Sequence, residues 1–223
     1  LGRGGRGVYA LDVTNPSSVS LLWEKTATDI PAMGNSLGKP IIAQVADGDW
    51  RVFIGNGPNG SGGTAELVTI RLNNGAVTTA STGVAGDNGL SGPNVWNTGA
   101  TDFVDRVYAG DLRGNLWRFG NLAGTPTVTA MFQATDGTTA QPITATPTVS
   151  RNPSNNDTWV YFGTGKYVNE ADLSDTQVQS WYGLIDRGAA ISGRNVLQRV
   201  AITGEATLSN GLGARVIDAV TTP

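Results

Sequence analysis

Three segments of this chain share one order of residues, and that repetition restricts the fold more than any other feature. Each opens with Pro and a short apolar strand: Pro40-Ile-Ile-Ala-Gln, Pro93-Asn-Val-Trp-Asn and Pro147-Thr-Val-Ser-Arg. A polar turn follows, then an aromatic-bearing strand ending in Gly: Val52-Phe-Ile-Gly55, Val107-Tyr-Ala-Gly110 and Val160-Tyr-Phe-Gly163. The prolines lie 53 and 54 residues apart and the glycines 55 and 53. A third strand is predicted at 67–72, 115–119 and 181–186, and a fourth, edge-like one at 76–81, 127–133 and 196–202. Gly7-Val-Tyr-Ala-Leu-Asp12 and Leu21-Leu-Trp-Glu24 match strands three and four of a preceding unit. Four antiparallel strands per period describe the blades of a β-propeller. Asn73-Asn-Gly75 and Asp47-Gly-Asp49 supply hairpin turns between them.

The fold class is therefore all-β: a propeller of four-stranded antiparallel blades, with about four blades present. The blades span approximately 1–30 (partial), 38–82, 90–134 and 142–202, and 203–223 is an unassigned tail or the start of a next blade. Propellers close with about 4–8 blades, so these are expected to be part of a larger propeller. The chain starts without Met and ends on Val220-Thr-Thr-Pro223, which also suggests a piece of a longer protein. Glycines near the axis permit close backbone approach. Tyr108, Trp117, Trp159, Tyr161 and Trp181 are expected to fill the gaps between blades.

Composition removes most chemistry. The 223 residues include 31 Gly but no Cys and no His. Disulfides, thiol nucleophiles, His-containing triads and His-ligated zinc are excluded within this chain. A net charge of −3 gives no basic nucleic-acid footprint. No apolar run approaches the roughly 20 residues of a membrane span. Asp12, Asp111 and Asp186 recur at similar places in successive units, which favours turn-bonding duties over a catalytic dyad. Gly57-Pro-Asn-Gly-Ser-Gly-Gly63 lacks the Lys and helix of a phosphate loop and is expected to be a mobile connection. Gly2-Arg-Gly-Gly-Arg-Gly7 has too few Arg for an RNA-binding tract and is read as a flexible blade connection.

Several blocks, in order, resemble the C-terminal propeller of PilY-type type IV pilus tip proteins, the PilC/PilY family. They include Gly5-Arg-Gly-Val-Tyr-Ala-Leu-Asp12, Phe53-Ile-Gly-Asn-Gly57 and Val107-Tyr-Ala-Gly-Asp-Leu-Arg-Gly-Asn-Leu-Trp-Arg-Phe119. Phe162-Gly-Thr-Gly-Lys-Tyr167 and Ser180-Trp-Tyr-Gly-Leu-Ile-Asp186 complete the series. The resemblance implies a non-enzymatic protein that supports pilus assembly, counters retraction and helps cells adhere to surfaces or host cells. It also implies pilin or minor pilin subunits as partners, an unidentified host-cell or surface ligand, and last blades lying beyond this stretch. The implied location is secreted or at the cell surface on the pilus tip, with outer-membrane association as a variant. The alternative is a quinoprotein-like dehydrogenase fragment, suggested by Ala10-Leu-Asp12 with Trp23 and Ala109-Gly-Asp111 with Trp117. No quinone pocket can be assembled from these residues.

The family resemblance also implies a calcium loop just before the Tyr-Ala-Gly-Asp block. Aligned on Tyr108, its ligand positions fall on Asn97, Gly99, Thr101, the carbonyl of Phe103, and Asp105. Among these five, Asp105 alone brings a carboxylate. Asp102 stands at the turn-glycine position and could reach inward. Ligand charge tunes calcium affinity, so this cage is expected to bind weakly. The favoured reading is a degenerate loop held by Asn and Asp side chains bonding to their own backbone. Asp47 and Asp49 are expected to be hairpin residues and not ligands.

Overall fold

The computed structural model describes residues 4–99 and 101–218. Its strands follow the repeat: β1 (Gly7–Asp12), β2 (Ser20–Thr26), β3 (Ile41–Gln44), β4 (Trp50–Gly55), β5 (Glu66–Arg71) and β6 (Val77–Ser81). They continue with β7 (Asn94–Trp96), β8 (Arg106–Gly110), β9 (Asn115–Gly120), β10 (Thr127–Gln133), β11 (Thr148–Arg151), β12 (Thr158–Gly163), β13 (Trp181–Asp186), β14 (Ile202–Thr207) and β15 (Gly213–Ile217). Two sheets have four strands in sequence order, β3–β6 and β7–β10, and every pairing is antiparallel. The hairpin β1–β2 stands before them, and the three-stranded sheet β11–β13 stands after them. Residues 1–3, at the start of the predicted first blade and of the Arg-Gly segment, lie outside the described residues, as do 219–223 of the tail.

The turns explain the antiparallel order. Asn74 Oδ1 accepts the Ala76 amide, and Gly75 at φ +69° closes the β5–β6 hairpin, a conformation that costs glycine little. Asp47 Oδ1 likewise accepts the Asp49 amide, with Gly48 at φ +84° between them. Asp47 then pairs with Arg51, and Asp49 with Arg71, so both carboxylates serve the hairpin.

Successive sheets pack face to face, because alternate residues of each strand point to opposite neighbours. Val52, Ile54, Val68 and Ile70 bury against Val8 and Trp23 of the first hairpin. Phe53 and Leu67, on the opposite face, bury against Val107, Ala109, Trp117 and Phe119 of the second sheet. Tyr108 and Leu116 then turn to Val160, Phe162, Tyr182 and Leu184 of the third. Each fully buried aliphatic or aromatic side chain contributes about 1.5–3 kcal/mol relative to exposure. Arginines strap neighbours together: Arg51 donates to the carbonyls of Leu122 and Ala123, and Arg118 to that of Gly188.

The structure departs from the sequence reading in three places. The edge strand predicted over 196–202 is replaced by a short 3₁₀ turn at Arg194–Val196, and Ile202 instead begins β14, which pairs with β15. The segment before it is drawn back onto the preceding sheet: Ile191 donates its amide to the Met131 carbonyl, and Ile191 and Leu197 pack on the Tyr108–Met131 cluster. The Gly57–Gly63 connection, expected to be mobile, is pinned. Gly57 and Pro58 are buried, and Gly34, Asn35 and Ser61 donate amides to the carbonyls of Asn56, Pro58 and Pro31. Among the five aromatics expected between blades, Tyr108 and Trp117 are buried, Trp159 and Tyr161 are half-buried, and Trp181 is 69% exposed. Nothing among the described residues covers that side of the third sheet, whereas the equivalent sides of the first two are packed.

Candidate functional site

The residue after each repeat glycine is the polar centre of its blade. Asn56 follows Gly55: its Oδ1 accepts the amides of Glu66 and Leu90, and its Nδ2 donates to the carbonyls of Ala32 and Thr64. Asp111 follows Gly110 and is fully buried. Its Oδ1 accepts the amides of Arg113 and Asn115, and its Oδ2 accepts Asn88 Nδ2 at 3.0 Å and Trp117 Nε1 at 2.8 Å. Asn115 Nδ2 adds a bond to each oxygen. Thr164 follows Gly163 and exchanges bonds with the Ser180 backbone. These contacts hold the start of the third strand against the end of the second, and a buried carboxylate with this many donors has its charge compensated.

The other repeating carboxylates are also structurally engaged. Asp12 Oδ1 accepts the Thr14 amide, and the bonds to Thr14 hold its pKa below the ordinary carboxylate value. Asp186 accepts the Tyr108 hydroxyl at 2.7 Å, pairs with Arg118 and takes the Gly188 amide. Burial first, and then that bond to Asp186, push the Tyr108 phenol well above its ordinary range. The Trp residues of the quinoprotein-like pattern do the same kind of work: Trp117 bonds Asp111, and Trp23 donates to the Leu72 carbonyl of the next sheet.

The 97–105 loop connects β7 to β8, and its residue 100 lies outside the described residues. Asn97 Oδ1 accepts the Gly99 amide at 2.6 Å, while Asn97 Nδ2 donates to the Thr101 carbonyl at 2.8 Å. Thr101 Oγ1 donates to the Phe103 carbonyl at 3.2 Å and lies 3.3 Å from the Phe103 amide. Asp105 takes the Thr98 amide on Oδ1 and the Thr98 hydroxyl on Oδ2. Every proposed calcium ligand on this loop is thus engaged in a hydrogen bond within the loop, and Asp102 is exposed. No cluster of three acidic residues suited to a metal exists among the described residues. Asp105 is the one carboxylate among the proposed ligand positions, and ligand charge tunes calcium affinity. Two guanidiniums stand at the loop: Arg106 pairs with Asp105 at 3.6 Å, and Arg151 of β11 donates to the Asn97 carbonyl at 3.1 Å and lies over the Trp96 ring, 5.9 Å from its centroid.

Two buried amides carry the architecture without any local signal in the sequence. Asn88 Oδ1 accepts the amides of Gly89 and Leu112, and Gln141 joins Tyr182, Val178 and Ser180. Each precedes the Pro that opens a blade by a few residues, in the segment that crosses from one sheet to the next. No helix among the described residues is long and apolar enough to cross a membrane.

Comparison with known proteins agrees with this architecture. The family model of the PilY1 beta-propeller domain matches residues 1–139 and 126–208. A type IV pilus biogenesis factor PilY1 homolog of Xylella fastidiosa (strain Temecula1) is 45% identical over 217 residues, which is 97% of this chain and 18% of that protein. The type IV pilus biogenesis factor PilY1 of Pseudomonas aeruginosa (strain PAO1) is 38% identical over 215 residues, 82% of this chain and 18% of that protein. The crystal structure of the Pseudomonas aeruginosa PilY1 C-terminal domain superposes with a TM-score of 0.85 at 32% identity, covering 97% of this chain and 52% of that one. The chain therefore spans less than a fifth of the length of these curated relatives and about half of the solved domain. With the repeat, the sheet order and the relatives in agreement, the chain belongs to the PilY1 β-propeller family.

Proposed function

We propose that this chain is a propeller module of a type IV pilus biogenesis factor and that it works by recognition and assembly, without bond chemistry. The observation that carries this reading is the 45% identity to a pilus biogenesis factor across 97% of the chain. The fate of the polar groups supports it: Asp12, Asp111 and Asp186 are each engaged in turn or inter-blade bonds. The partners of the module are pilin or minor pilin subunits, and its location is the cell surface at the pilus. Support for assembly, control of retraction and adhesion are its roles in the cell. The 97–105 loop contributes as a hydrogen-bonded latch and not as a calcium cage.

Deletion of the gene that encodes this chain tests the reading. Surface pili, twitching and attachment are expected to fall together and to return on complementation. Unchanged piliation, twitching and attachment in the deletion strain overturn it.

A further inference from the structure

Asn59 and Tyr167 stand at the same place in two repeats, each four residues past the glycine that ends the second strand. The second sheet passes from its second to its third strand within 111–114, whereas the first and third sheets use 56–65 and 164–180. Those two longer connections line one cavity of about 250 Å³, Asn59 from the first and Tyr167 and Val168 from the third. Gly4, Asn35 and Leu37 complete the lining, which contains no Asp, Glu, Lys or Arg.

Both connections are fixed by contacts of their own. A Cβ on Gly34 would stand 1.8 Å from the Pro58 carbonyl oxygen, and one on Gly60 2.0 Å from that of Ala32, so backbone lies directly on backbone. Arg6 donates to the Asn59 carbonyl, and Asn59 holds φ +65°, a left-handed conformation that residues other than glycine adopt at a cost. Asn59 Nδ2 donates to Asn35 Oδ1, and Asn35 Nδ2 to the Gly4 carbonyl, both at 2.9 Å. Among the described residues nothing donates to Asn59 Oδ1, so this relay of amides ends in an open acceptor. On the other connection, Asp172 grips the residues on either side of Tyr167, taking the Lys166 ammonium at 2.9 Å and the Val168 amide at 2.8 Å. Tyr167 itself is 59% exposed.

We propose that this cavity is a binding subsite for one neutral sugar residue, a hexose or N-acetylhexosamine. A pyranose ring has an apolar C–H face and hydroxyls that both donate and accept, and the lining matches each part. The Tyr167 ring takes the C–H face, Asn59 Oδ1 accepts a hydroxyl, and Leu37 and Val168 supply the apolar edge. The absence of charged side chains in the lining favours a neutral ligand over an acidic one. The volume falls below the roughly 300–1,000 Å³ of a drug-sized pocket and suits a single ring. None of the lining residues belongs to a strand, so an extended peptide finds no ladder of backbone partners here. Connections fixed before the ligand arrives lose little freedom on binding it. The inference rests on this cavity and is independent of the pilus reading, which the deletion strain tests separately.

Saturation-transfer NMR on the full natural protein that contains these residues is the test. The probes are the methyl glycosides of glucose and galactose, N-acetylglucosamine, and the anionic N-acetylneuraminic acid. At least one of the neutral probes is expected to receive saturation, with a Kd in the millimolar range that suits so small a ligand, and the acid none. Tyr167→Ala is expected to weaken binding at least about tenfold, while Tyr167→Phe keeps most of it because the ring face remains. Asn59→Gly suits the left-handed backbone, so it is expected to weaken binding several-fold without lowering the melting temperature. No transfer to any neutral probe overturns the proposal, as does transfer that survives Tyr167→Ala or favours the acid. A lowered melting temperature in both Tyr167 variants, with no sugar signal in the parent, also overturns it and assigns the tyrosine to packing.

Discussion

Trp117 and Asp111 lie six residues apart on either side of a tight turn, and the indole N–H of one reaches the buried carboxylate of the other at 2.8 Å. The turn between them folds around that carboxylate, which also takes the amides of Arg113 and Asn115 and the Asn88 side chain. Replacing Asp111 by Ala strands several buried donors, each worth about 1–3 kcal/mol when unsatisfied. Asp111→Ala is therefore expected to lose at least about 3 kcal/mol of stability, and Asp111→Asn less, because one acceptor oxygen remains. Urea titration of both variants measures this, and equal losses would show that the carboxylate bonds do not dominate.

Tyr108 ties the second sheet to the third through Asp186, and this gives stability an alkaline limit. Its phenol is raised by burial and by the Asp186 carboxylate it donates to, so the folded protein keeps the proton after the unfolded chain has released it. The stabilisation is fully present below about pH 10, where the unfolded tyrosine ionises, and is lost as pH rises above it. Tyr108→Phe is expected to flatten that decline and to cost about 1 kcal/mol at neutral pH. Denaturation followed between neutral and strongly alkaline pH compares the two proteins.

Much of this fold is legible in the sequence because a propeller writes its plan locally. The apolar alternation, the terminal glycines and the Asn-Gly hairpin place β3–β10 and β11–β13 with shifts of a residue or two. Asp111 is legible as a turn carboxylate for the same reason: most of its donors are within six residues. Asn88 and Gln141 are not, since Asn88 meets Asp111 across 23 residues and Gln141 meets Tyr182 across 41. The exposure of Trp181 is equally hidden, because Val160-Tyr-Phe-Gly163 is spelled as its equivalents are, whether or not a neighbour covers it. Around 196–202 the apolar spacing suits a strand, but tertiary contacts of Ile191 and Leu197 with the Tyr108–Met131 cluster take the chain elsewhere. Local pattern predicts the element; the neighbour decides what it does.

Asp172 organises the turn after the Gly-Thr-Gly-Lys-Tyr block. Lys166 lies 2.9 Å away, and the amides of Val168 and Asn169 donate to its other oxygen. Lys166 first, and the amides with it, hold the carboxyl down to about 2. A depressed carboxyl stabilises the fold above its unfolded value near 3.8 and loses that contribution as pH falls through about 2. Lys166→Met is expected to move the Asp172 midpoint up toward 3.8, as read by carboxyl-carbon NMR, and to release the turn at a higher pH. An unmoved midpoint would assign the shift to the two amides alone.

The last expectation concerns the loop that the family resemblance marks for calcium. Its oxygens are engaged internally, Arg106 pairs with Asp105, and Arg151 adds a second positive charge from the neighbouring blade. A ligand that binds the native state must stabilise it, so calcium at millimolar concentration is expected to leave the melting temperature unchanged. Arg151 is exposed, and Arg151→Ala is expected to cost about 1 kcal/mol or less. The same change should speed hydrogen exchange at the Gly99 amide, whose acceptor Asn97 loses its anchor. Asn97→Asp combined with Thr101→Asp adds two carboxylates beside Asp105, and ligand charge raises calcium affinity. That double variant is expected to gain a calcium-dependent rise in melting temperature that the parent lacks. A rise in the parent itself would return the loop to the metal-binding class.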